Sequence, residues 1–173
     1  MNILYRFKLI KTFVFDIDGV LTDGKLLILK DGEMARQMNI KDGYALQLAI
    51  KKGYRIAVVS GGNSEALKER LYKLKITDVF MQVENKQELL RDYVRRNNLS
   101  WNEILFMGDD IPDYKCMELA ALACCPADAV VEIKRLSKYI SAYKGGEGCA
   151  RDVIEKVLKL NGNWDLDIEP PAV

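Results

Sequence analysis

Short apolar runs alternate with stretches of helical periodicity along this chain, and that alternation strongly constrains its fold. The apolar runs cover residues 12–17, 55–60, 78–83, 103–108 and 122–125. Between them, apolar residues recur every three or four positions over 41–53, 63–75, 85–98 and 112–122. Strands that are apolar on both faces are typical of a parallel sheet, whose strands are joined by crossover helices. The pattern therefore predicts an α/β fold, a three-layer Rossmann-like parallel sheet with helices on both faces.

Two segments interrupt the alternation. Residues 24–40 have an Asp-Gly pair at their centre, which predicts a β-hairpin lying as a flap over the end of the first strand. Residues 143–160 read as a glycine-rich turn that leads into a last helix. We expect a single domain over residues 1–160 and a C-terminal tail over residues 161–173.

The composition excludes several kinds of chemistry. The chain contains no histidine, which removes histidine-based triads, histidine general bases and histidine-ligated zinc. Its four cysteines form no CxxC pair, as expected for reduced thiols. The net charge is +1 and no basic block stands out, so nucleic acid is not an expected partner. Any chemistry must therefore use carboxylates, hydroxyls and lysines.

The N-terminal segment does not predict export. Residues 1–15 place Arg6, Lys8 and Lys11 among apolar residues and lack a small-residue cleavage site, unlike a signal peptide. The longest uncharged apolar runs are too short to span a membrane. These features predict a cytoplasmic protein without a membrane partner.

Polar side chains follow the predicted strands at the points where the strands end. They are Asp16 and Asp18 after the first strand, Ser60 after the second, Lys86 after the third, and Asp109 and Asp110 after the fourth. Each also fits an ordinary role as a turn serine, a solvated lysine or a helix cap. Because ligands bind at the carboxyl edge of open α/β sheets, we expect these side chains to form one site.

The negative charges of Asp16 and Asp18 would repel each other and need a compensating positive charge. On an extended chain, Asp16 and Asp18 would share a face. Two negative charges about 4 Å apart repel by roughly 4 kcal/mol at an effective dielectric constant of about 20. A divalent cation bound by Asp16, Asp18 and Asp109 would offset this repulsion, and oxygen ligands favour Mg²⁺ over zinc or copper.

The other groups of the predicted site suit a phosphate. Lys86 supplies a cation and Ser60 a hydroxyl, and the main-chain N–H groups of Gly61 and Gly62 can assist them. A metal ion, a lysine, a hydroxyl and a carboxylate around one point are the parts of a phosphoryl-transfer site.

The same residues resemble the haloacid dehalogenase (HAD) superfamily. "FDIDGVLTDG" (15–24) is similar to its first motif, DxDGxxT, and "GDDIPD" (108–113) is similar to its acidic fourth motif. Ser60 resembles the second motif and Lys86 the third. The resemblance implies an HAD-like phosphatase in which the serine and the lysine bind substrate and take part in catalysis.

This resemblance also implies roles for the carboxylates. Asp16 would be the nucleophile and form an aspartyl-phosphate. Asp18 would serve as general acid and then as general base, and its backbone carbonyl rather than its side chain would bind Mg²⁺. Asp109 would be a further metal ligand, while Asp110 and Asp113 would orient the motif lysine or metal-bound water.

The spacing of the motifs leaves no room for a cap domain. Residues 19–59, between the first and second motifs, are filled by the flap and one helix. Residues 87–108, between the third and fourth motifs, are filled by one helix and one strand. A site without a cap would stand open to water, so a neighbouring subunit is expected to close it.

The chain to about residue 160 resembles the capless, tetrameric 3-deoxy-D-manno-octulosonate 8-phosphate phosphatases of lipopolysaccharide synthesis. "NIKDGYALQLAIKKGYRIAVVSGG" (39–62) and "GGEGCARDVIEKVL" (145–158) are the most similar stretches. The resemblance implies a homotetramer in which flaps build an intersubunit barrel and the glycine turn reaches a neighbour's active site. It also implies that Arg70 lies in the substrate pocket, although a solvated helix position fits Arg70 equally well.

Two positions depart from this pattern, and two alternatives remain. Asn63 and Glu147 stand where many relatives carry a basic residue, so recognition of a sugar-acid carboxylate could be weakened or redirected. The nearest alternative substrate is 2-keto-3-deoxynononate 9-phosphate. A different class, the phospho-accepting receiver domain of signalling proteins, also uses Asp, Ser/Thr, Lys and Mg²⁺. Receivers place their acidic pair before the acceptor, whereas here the pair comes last.

Overall fold

A computed structural model describes residues 2–165, and its main feature is a six-stranded parallel sheet in the order β5-β4-β1-β6-β7-β8. These strands are β1 (Thr12–Phe15), β4 (Arg55–Val59), β5 (Asp78–Phe80), β6 (Ile104–Met107), β7 (Leu122–Cys125) and β8 (Tyr139–Ile140). A separate antiparallel pair, β2 (Leu27–Ile28) and β3 (Met34–Ala35), forms the flap. The α-helices of the described part are α1 (Ile3–Leu9), α2 (Ile40–Lys51), α3 (Glu65–Lys73), α4 (Lys86–Arg96), α5 (Tyr114–Leu119), α6 (Val131–Leu136) and α7 (Cys149–Leu160).

Side chains of the central strands alternate between two hydrophobic clusters, one on each face of the sheet. In β1, Phe13 and Phe15 point to the cluster that includes α1, α2, α3 and α7, while Val14 points to the cluster that includes α4, α5 and α6. β4, β6 and β7 alternate in the same way. Each strand is therefore buried on both faces, which explains its continuous apolar sequence and confirms the predicted three-layer fold.

The sequence located most of these elements but missed three of them. The five predicted strands and four predicted inter-strand helices are present, with ends shifted by up to three residues. α1, α6 and β8 were not predicted; α6 has six residues and β8 has two. Elements this short give too few repeats of a periodic pattern to be recognised.

The flap is confirmed between β1 and α2. Its base is closed by an isolated antiparallel bridge between Thr22 and Met38, and its strands turn through Gly32 at φ 85°. The other described residues between β1 and β4 form the turn after Asp16 and helix α2. Residues 166–173, the greater part of the predicted tail, lie outside the described residues. Within residues 2–165, helices are all too short or too polar to cross a bilayer.

Candidate active site

The predicted site residues gather where the order of the central strands reverses. β1 lies between β4 and β6, and Phe15 pairs with both Val58 and Met107. Asp16 directly follows β1, and Ser60 directly follows β4 on one side of it. The chain passes from β1 to β4 and β5 on one side and then returns to β6 on the other side of β1. Such a reversal of strand order opens a crevice at the carboxyl edge of the sheet, which is the ligand-binding position of doubly wound sheets.

Asp16 and Lys86 form a buried ion pair at the centre of this crevice. The Lys86 Nζ donates a hydrogen bond to Asp16 Oδ1 at 2.7 Å and another to Asp113 Oδ1 at 2.8 Å. The side chains of Asp16 and Lys86 are each 8% exposed, and that of Asp113 is 1% exposed. Lys86 is the first residue of α4, and the side chain of the N-cap residue Asn85 accepts a hydrogen bond from the Glu88 N–H. This capped helix end fixes the backbone position of the lysine.

One lysine does not neutralise two buried carboxylates. Burial and the charge of Asp113 raise the pKa of Asp16 to about 7, although Lys86 acts to lower it. Burial alone would lower the pKa of Lys86, but the charges of Asp113 and Asp16 outweigh burial and raise this pKa above its usual value. Lys86 therefore stays cationic, whereas burial and the second carboxylate disfavour the charged form of Asp16.

Asp109 adds a third carboxylate with an oxygen that lacks a partner. Its Oδ1 is shielded from solvent and has no hydrogen-bond partner among the described residues. Burial, followed by the charges of Asp16 and Asp113, raises the pKa of Asp109 to about 8. A Cβ on Gly19 would lie 2.0 Å from Asp109 Oδ2, so only glycine allows the carboxylate to sit against this turn.

These carboxylates fit a hard divalent cation. Carboxylate oxygens of Asp16, Asp109 and Asp113 all lie within 4.8 Å of one another. Both oxygens of Asp113 already accept hydrogen bonds, from Lys86 and from the Asp109 N–H. Asp16 and Asp109 thus offer the available oxygens, and an unpartnered buried carboxylate oxygen is the state that Mg²⁺ would relieve.

The Asp18 side chain is not part of this carboxylate cluster, so our argument that Asp16 and Asp18 share a face is wrong. The strand ends at Phe15, and a short helical turn begins at Ile17, between the two aspartates, so the chain does not stay extended there; Gly19 follows at φ 92°. The Thr22 hydroxyl closes the turn by accepting hydrogen bonds from the N–H groups of Gly19 and Gly24. The backbone at Asp18, rather than its carboxylate, therefore remains the candidate metal ligand.

The Asp18 carboxylate instead forms an ion pair with Arg36 of the flap. Arg36 Nε donates to Asp18 Oδ1 at 2.6 Å, and Nη2 donates to Asp18 Oδ2 at 3.4 Å. A Cβ on Gly62 would lie 3.2 Å from Asp18 Oδ2, 3.4 Å from Arg36 Nη2 and 3.5 Å from Ser60 Oγ. These three polar groups therefore surround the turn predicted to bind phosphate.

Ser60 and the following turn are fixed by the neighbouring strand end. The Ser60 side chain is buried, and its Oγ accepts a hydrogen bond from the Gly62 N–H at 3.1 Å. The Ser60 carbonyl accepts from Val83 N–H, and the Gly62 carbonyl accepts from Gln82 N–H. The hydroxyl proton of Ser60 thus remains available for a phosphoryl oxygen.

The glycine turn before α7 packs on the turn that follows Asp16 in the same chain. Gly146 N–H donates to the Val20 carbonyl at 2.9 Å, and Asn39 Nδ2 donates to the Gly146 carbonyl at 3.2 Å. A Cβ on Gly145 would lie 2.0 Å from the Gly19 carbonyl oxygen. Glycine is therefore required for the two backbones to approach so closely.

Other predicted residues lie farther from this centre. Arg70 lies on α3 beside α2, with Nη2 3.2 Å from the position of a Cβ on Gly43. Asp110 is exposed, and its Oδ1 caps the short turn at Ile111 rather than contacting Lys86. Asn63 and Glu147 are exposed, and each lines a different surface cleft. Sequence reasoning missed Arg36, because an arginine on a polar hairpin resembles a solvated residue.

The chain is similar to several phosphatases along nearly its whole length. It is 26% identical over 164 residues to 3-deoxy-D-manno-octulosonate 8-phosphate phosphatase KdsC of Escherichia coli K12, covering 95% of this chain and 87% of that protein. The corresponding phosphatase of Moraxella catarrhalis was solved with magnesium, phosphate and the sugar acid 3-deoxy-D-manno-octulosonate (KDO). It is 27% identical to this chain with a TM-score of 0.90, and the match covers 94% of this chain and 93% of the Moraxella chain. No protein-family model matches the chain.

A third relative, a Pseudomonas syringae protein of the YrbI family of phosphatases, is 32% identical with a TM-score of 0.90 and covers 93% of this chain and 92% of its own. Fold and site together define a phosphoric monoester hydrolase of the HAD superfamily, with a carboxylate cluster that can hold a divalent cation. Within that class, the chain belongs to the YrbI family of phosphatases, a name also used for the octulosonate 8-phosphate phosphatase of Haemophilus influenzae.

Proposed function

We propose that this enzyme hydrolyses 3-deoxy-D-manno-octulosonate 8-phosphate to the free sugar acid and phosphate, as a step in the synthesis of lipopolysaccharide precursors. The observation that carries the proposal is the buried Asp16 carboxylate, held by Lys86 at 2.7 Å beside the unpartnered Asp109 Oδ1. The Moraxella relative, whose structure contains magnesium, phosphate and KDO, supports both the metal and the substrate.

The first half of the reaction is phosphoryl transfer to Asp16. A carboxylate oxygen of Asp16 attacks phosphorus, and the bond between phosphorus and the sugar oxygen breaks. Asp18 gives its proton to that oxygen, and the sugar acid leaves as a neutral alcohol at this position. Lys86 and the Ser60 hydroxyl donate hydrogen bonds to the phosphoryl oxygens.

The second half regenerates the carboxylate. Asp18 takes a proton from a water molecule, whose oxygen attacks the phosphorus of the aspartyl-phosphate, and inorganic phosphate leaves Asp16. Bound Mg²⁺, held by Asp16, Asp109 and the Asp18 carbonyl, would offset the negative charge that the phosphoryl group brings. Lys86 keeps Asp16 in place throughout, since Asp113 holds the other side of the ammonium group.

A cleft beside the site can hold the sugar. Its volume is about 580 Å³, and it lies between the flap and the start of α3, with Arg36 and Asn63 among its lining residues. Because Arg36 also contacts Asp18, the cleft adjoins the position of the leaving oxygen. We therefore assign the sugar to this cleft, next to the phosphate turn.

A homotetramer is part of the proposal. The flap exposes apolar side chains that a monomer would leave in water: Leu27 is 65% exposed and Ile28 is 69% exposed. Clustered exposed apolar residues favour burial against another subunit, and a site without a cap gains closure from a neighbour. Sedimentation should give a tetramer; a fully active monomer would contradict this part of the proposal.

A cytoplasmic location completes the proposal. Cys116, Cys124, Cys125 and Cys149 are all buried free thiols, as expected in a reducing compartment. Subcellular fractionation should recover the activity with cytoplasmic markers, and recovery with exported proteins would contradict this assignment.

A phosphate-release screen tests the proposed activity. The enzyme should release phosphate from octulosonate 8-phosphate with a higher kcat/KM than from nononate 9-phosphate or common sugar phosphates. EDTA should abolish the release and added Mg²⁺ should restore it. Faster turnover of the nononate substrate would redirect the assignment, and full activity in metal-free buffer would overturn the mechanism.

A further inference from the structure

Arg36 points inward from a flap that is otherwise exposed. It follows β3 directly, and its side chain is 8% exposed, whereas Met34 in the same strand is 51% exposed. Its Nη1 donates to the Met34 carbonyl at 3.1 Å, which fixes the plane of the guanidinium group. The orientation of the Arg36 guanidinium group is therefore fixed by contacts within the protein, unlike that of a solvated arginine on a hairpin surface.

The two contacts between Arg36 and Asp18 are unequal. The Nε–Oδ1 distance is 2.6 Å, whereas the Nη2–Oδ2 distance is 3.4 Å. Oδ2 is also the oxygen that faces Gly62, at 3.2 Å from the position of a Cβ there. Arg36 thus holds Asp18 through Oδ1 and leaves Oδ2 directed at the phosphate turn.

We infer that Arg36 is a positioning residue, which anchors Asp18 Oδ1 so that Oδ2 exchanges the proton with the leaving oxygen of the substrate. The inference rests on the proposed function, in which Asp18 is the acid and base. As the bond between phosphorus and the sugar oxygen breaks, the proton moves from Oδ2 to that oxygen; in the second half, water returns a proton to Oδ2. Arg36 transfers no proton, because a guanidinium group stays protonated.

The leaving group of the substrate distinguishes positioning from direct binding of phosphate. An alkoxide needs a proton to depart, whereas p-nitrophenolate departs without one. We expect Arg36→Met to lower kcat/KM about 10- to 100-fold for octulosonate 8-phosphate and less than about threefold for p-nitrophenyl phosphate. Arg36→Lys, which keeps one donor, should give an intermediate loss on the sugar phosphate.

A double-variant cycle tests whether Arg36 acts through Asp18. In single turnovers of octulosonate 8-phosphate, Arg36→Met added to Asp18→Asn should cost less than about twofold beyond Asp18→Asn alone. Lys30→Met is the matched control, because Lys30 is an exposed cation on the same flap. Lys30→Met should leave kcat/KM unchanged for both substrates. Thermal melting should show that the Arg36 variants remain folded.

Equal losses on both substrates, or an undiminished effect of Arg36→Met in the Asp18→Asn background, would overturn the inference. These outcomes are separable from failure of the proposed function. If the wild-type enzyme does not turn over the sugar phosphate, or if Asp16→Asn remains active, the proposed function itself fails.

Discussion

Two carboxylates in different parts of the molecule share an unusual feature. Asp109 at the sheet edge and Asp42 in the first turn of α2, facing α7, each have a buried oxygen without a hydrogen-bond partner among residues 2–165. Burial raises the pKa of both, to about 8 for Asp109 and about 6 for Asp42. By these criteria alone, either could be a metal site.

Their neighbours make the difference. Asp109 faces the carboxylates of Asp16 and Asp113, so a cation there has several oxygens to bind. Asp42 instead accepts a hydrogen bond from Arg151 N–H at 2.8 Å, in the first turn of α7, whose N-cap is glycine and supplies no side chain. Asp42 thus caps a helix from a neighbouring element, where the helix dipole favours its charge. Of these two buried carboxylates, Asp109 is therefore the candidate metal ligand, because other carboxylates converge on it.

The largest expected effect separates these two residues by activity. Asp109→Asn should lower Mg²⁺-dependent kcat/KM at least about 100-fold and abolish Mg²⁺ binding in calorimetry, because a metal ligand loses its charge. Asp42→Asn, the matched control, keeps an acceptor for Arg151 and should stay within about threefold of wild type. If both variants lost activity equally, the contrast between the two sites would be wrong.

A second contrast concerns two glycines. Gly145→Ala should lower kcat about 100-fold by displacing the turn that follows Asp16, because its Cβ would meet the Gly19 carbonyl oxygen at 2.0 Å. The Cβ of Gly53→Ala would meet nothing within 4 Å, but the backbone there is strained for alanine at φ 86°. This variant should lose about 1 kcal/mol of stability and keep its full activity. Initial rates and thermal melting would measure both; an active Gly145→Ala enzyme would show that the glycine turn does not support the site.

The pH dependence of stability should differ between the two regions. Burial raises the pKa of Asp16 from 3.8 to about 7 and that of Asp109 from 3.8 to about 8. A raised carboxyl pKa favours the folded state at low pH, so this contribution is lost as pH rises from 3.8 to about 8 in EDTA.

Saturating Mg²⁺ should flatten that part of the melting-temperature profile, since the cation favours the ionised carboxylates. The contribution of Asp42, lost between pH 3.8 and about 6, should persist with or without Mg²⁺ and disappear in Asp42→Asn. Identical profiles in EDTA and Mg²⁺ would argue against a metal at Asp16 and Asp109.

The smallest expected effect on activity is that of changing Asp110, the neighbour of Asp109. Asp110 is exposed and caps Ile111, so Asp110→Asn retains the cap and should change kcat/KM by less than about threefold and stability by less than about 0.5 kcal/mol. A loss as large as that of Asp109→Asn would show that Asp110 supports the site, as the sequence analysis predicted.

The sequence predicted the centre of the site because that centre depends on strand ends. Asp16, Ser60 and Lys86 each follow an apolar run, and the edge of a parallel sheet brings such positions together regardless of the loops between them. The alternation of apolar runs and helices predicted the layers for the same reason. β8 has two residues and α6 has six, and neither is preceded by a turn signal or an apolar repeat that the sequence analysis recognised.

Contacts set by loop conformation could not be predicted in this way. The Asp18 side chain lies outside the carboxylate cluster because a helical turn begins at Ile17, between the two aspartates, and the apolar pattern of the strand does not specify that turn. Arg36 reaches Asp18 across the flap, and Gly146 reaches Val20 across most of the chain. Such long-range contacts between loops depend on tertiary packing, which periodicity does not encode.

Chemical trapping of the phosphorylated carboxylate would test the central claim most directly. Enzyme quenched during turnover and treated with borohydride should contain homoserine at position 16, only when substrate and Mg²⁺ are both present, and never in Asp16→Asn. Steady turnover without any reduced residue at position 16, or with the modification at another aspartate, would contradict the account.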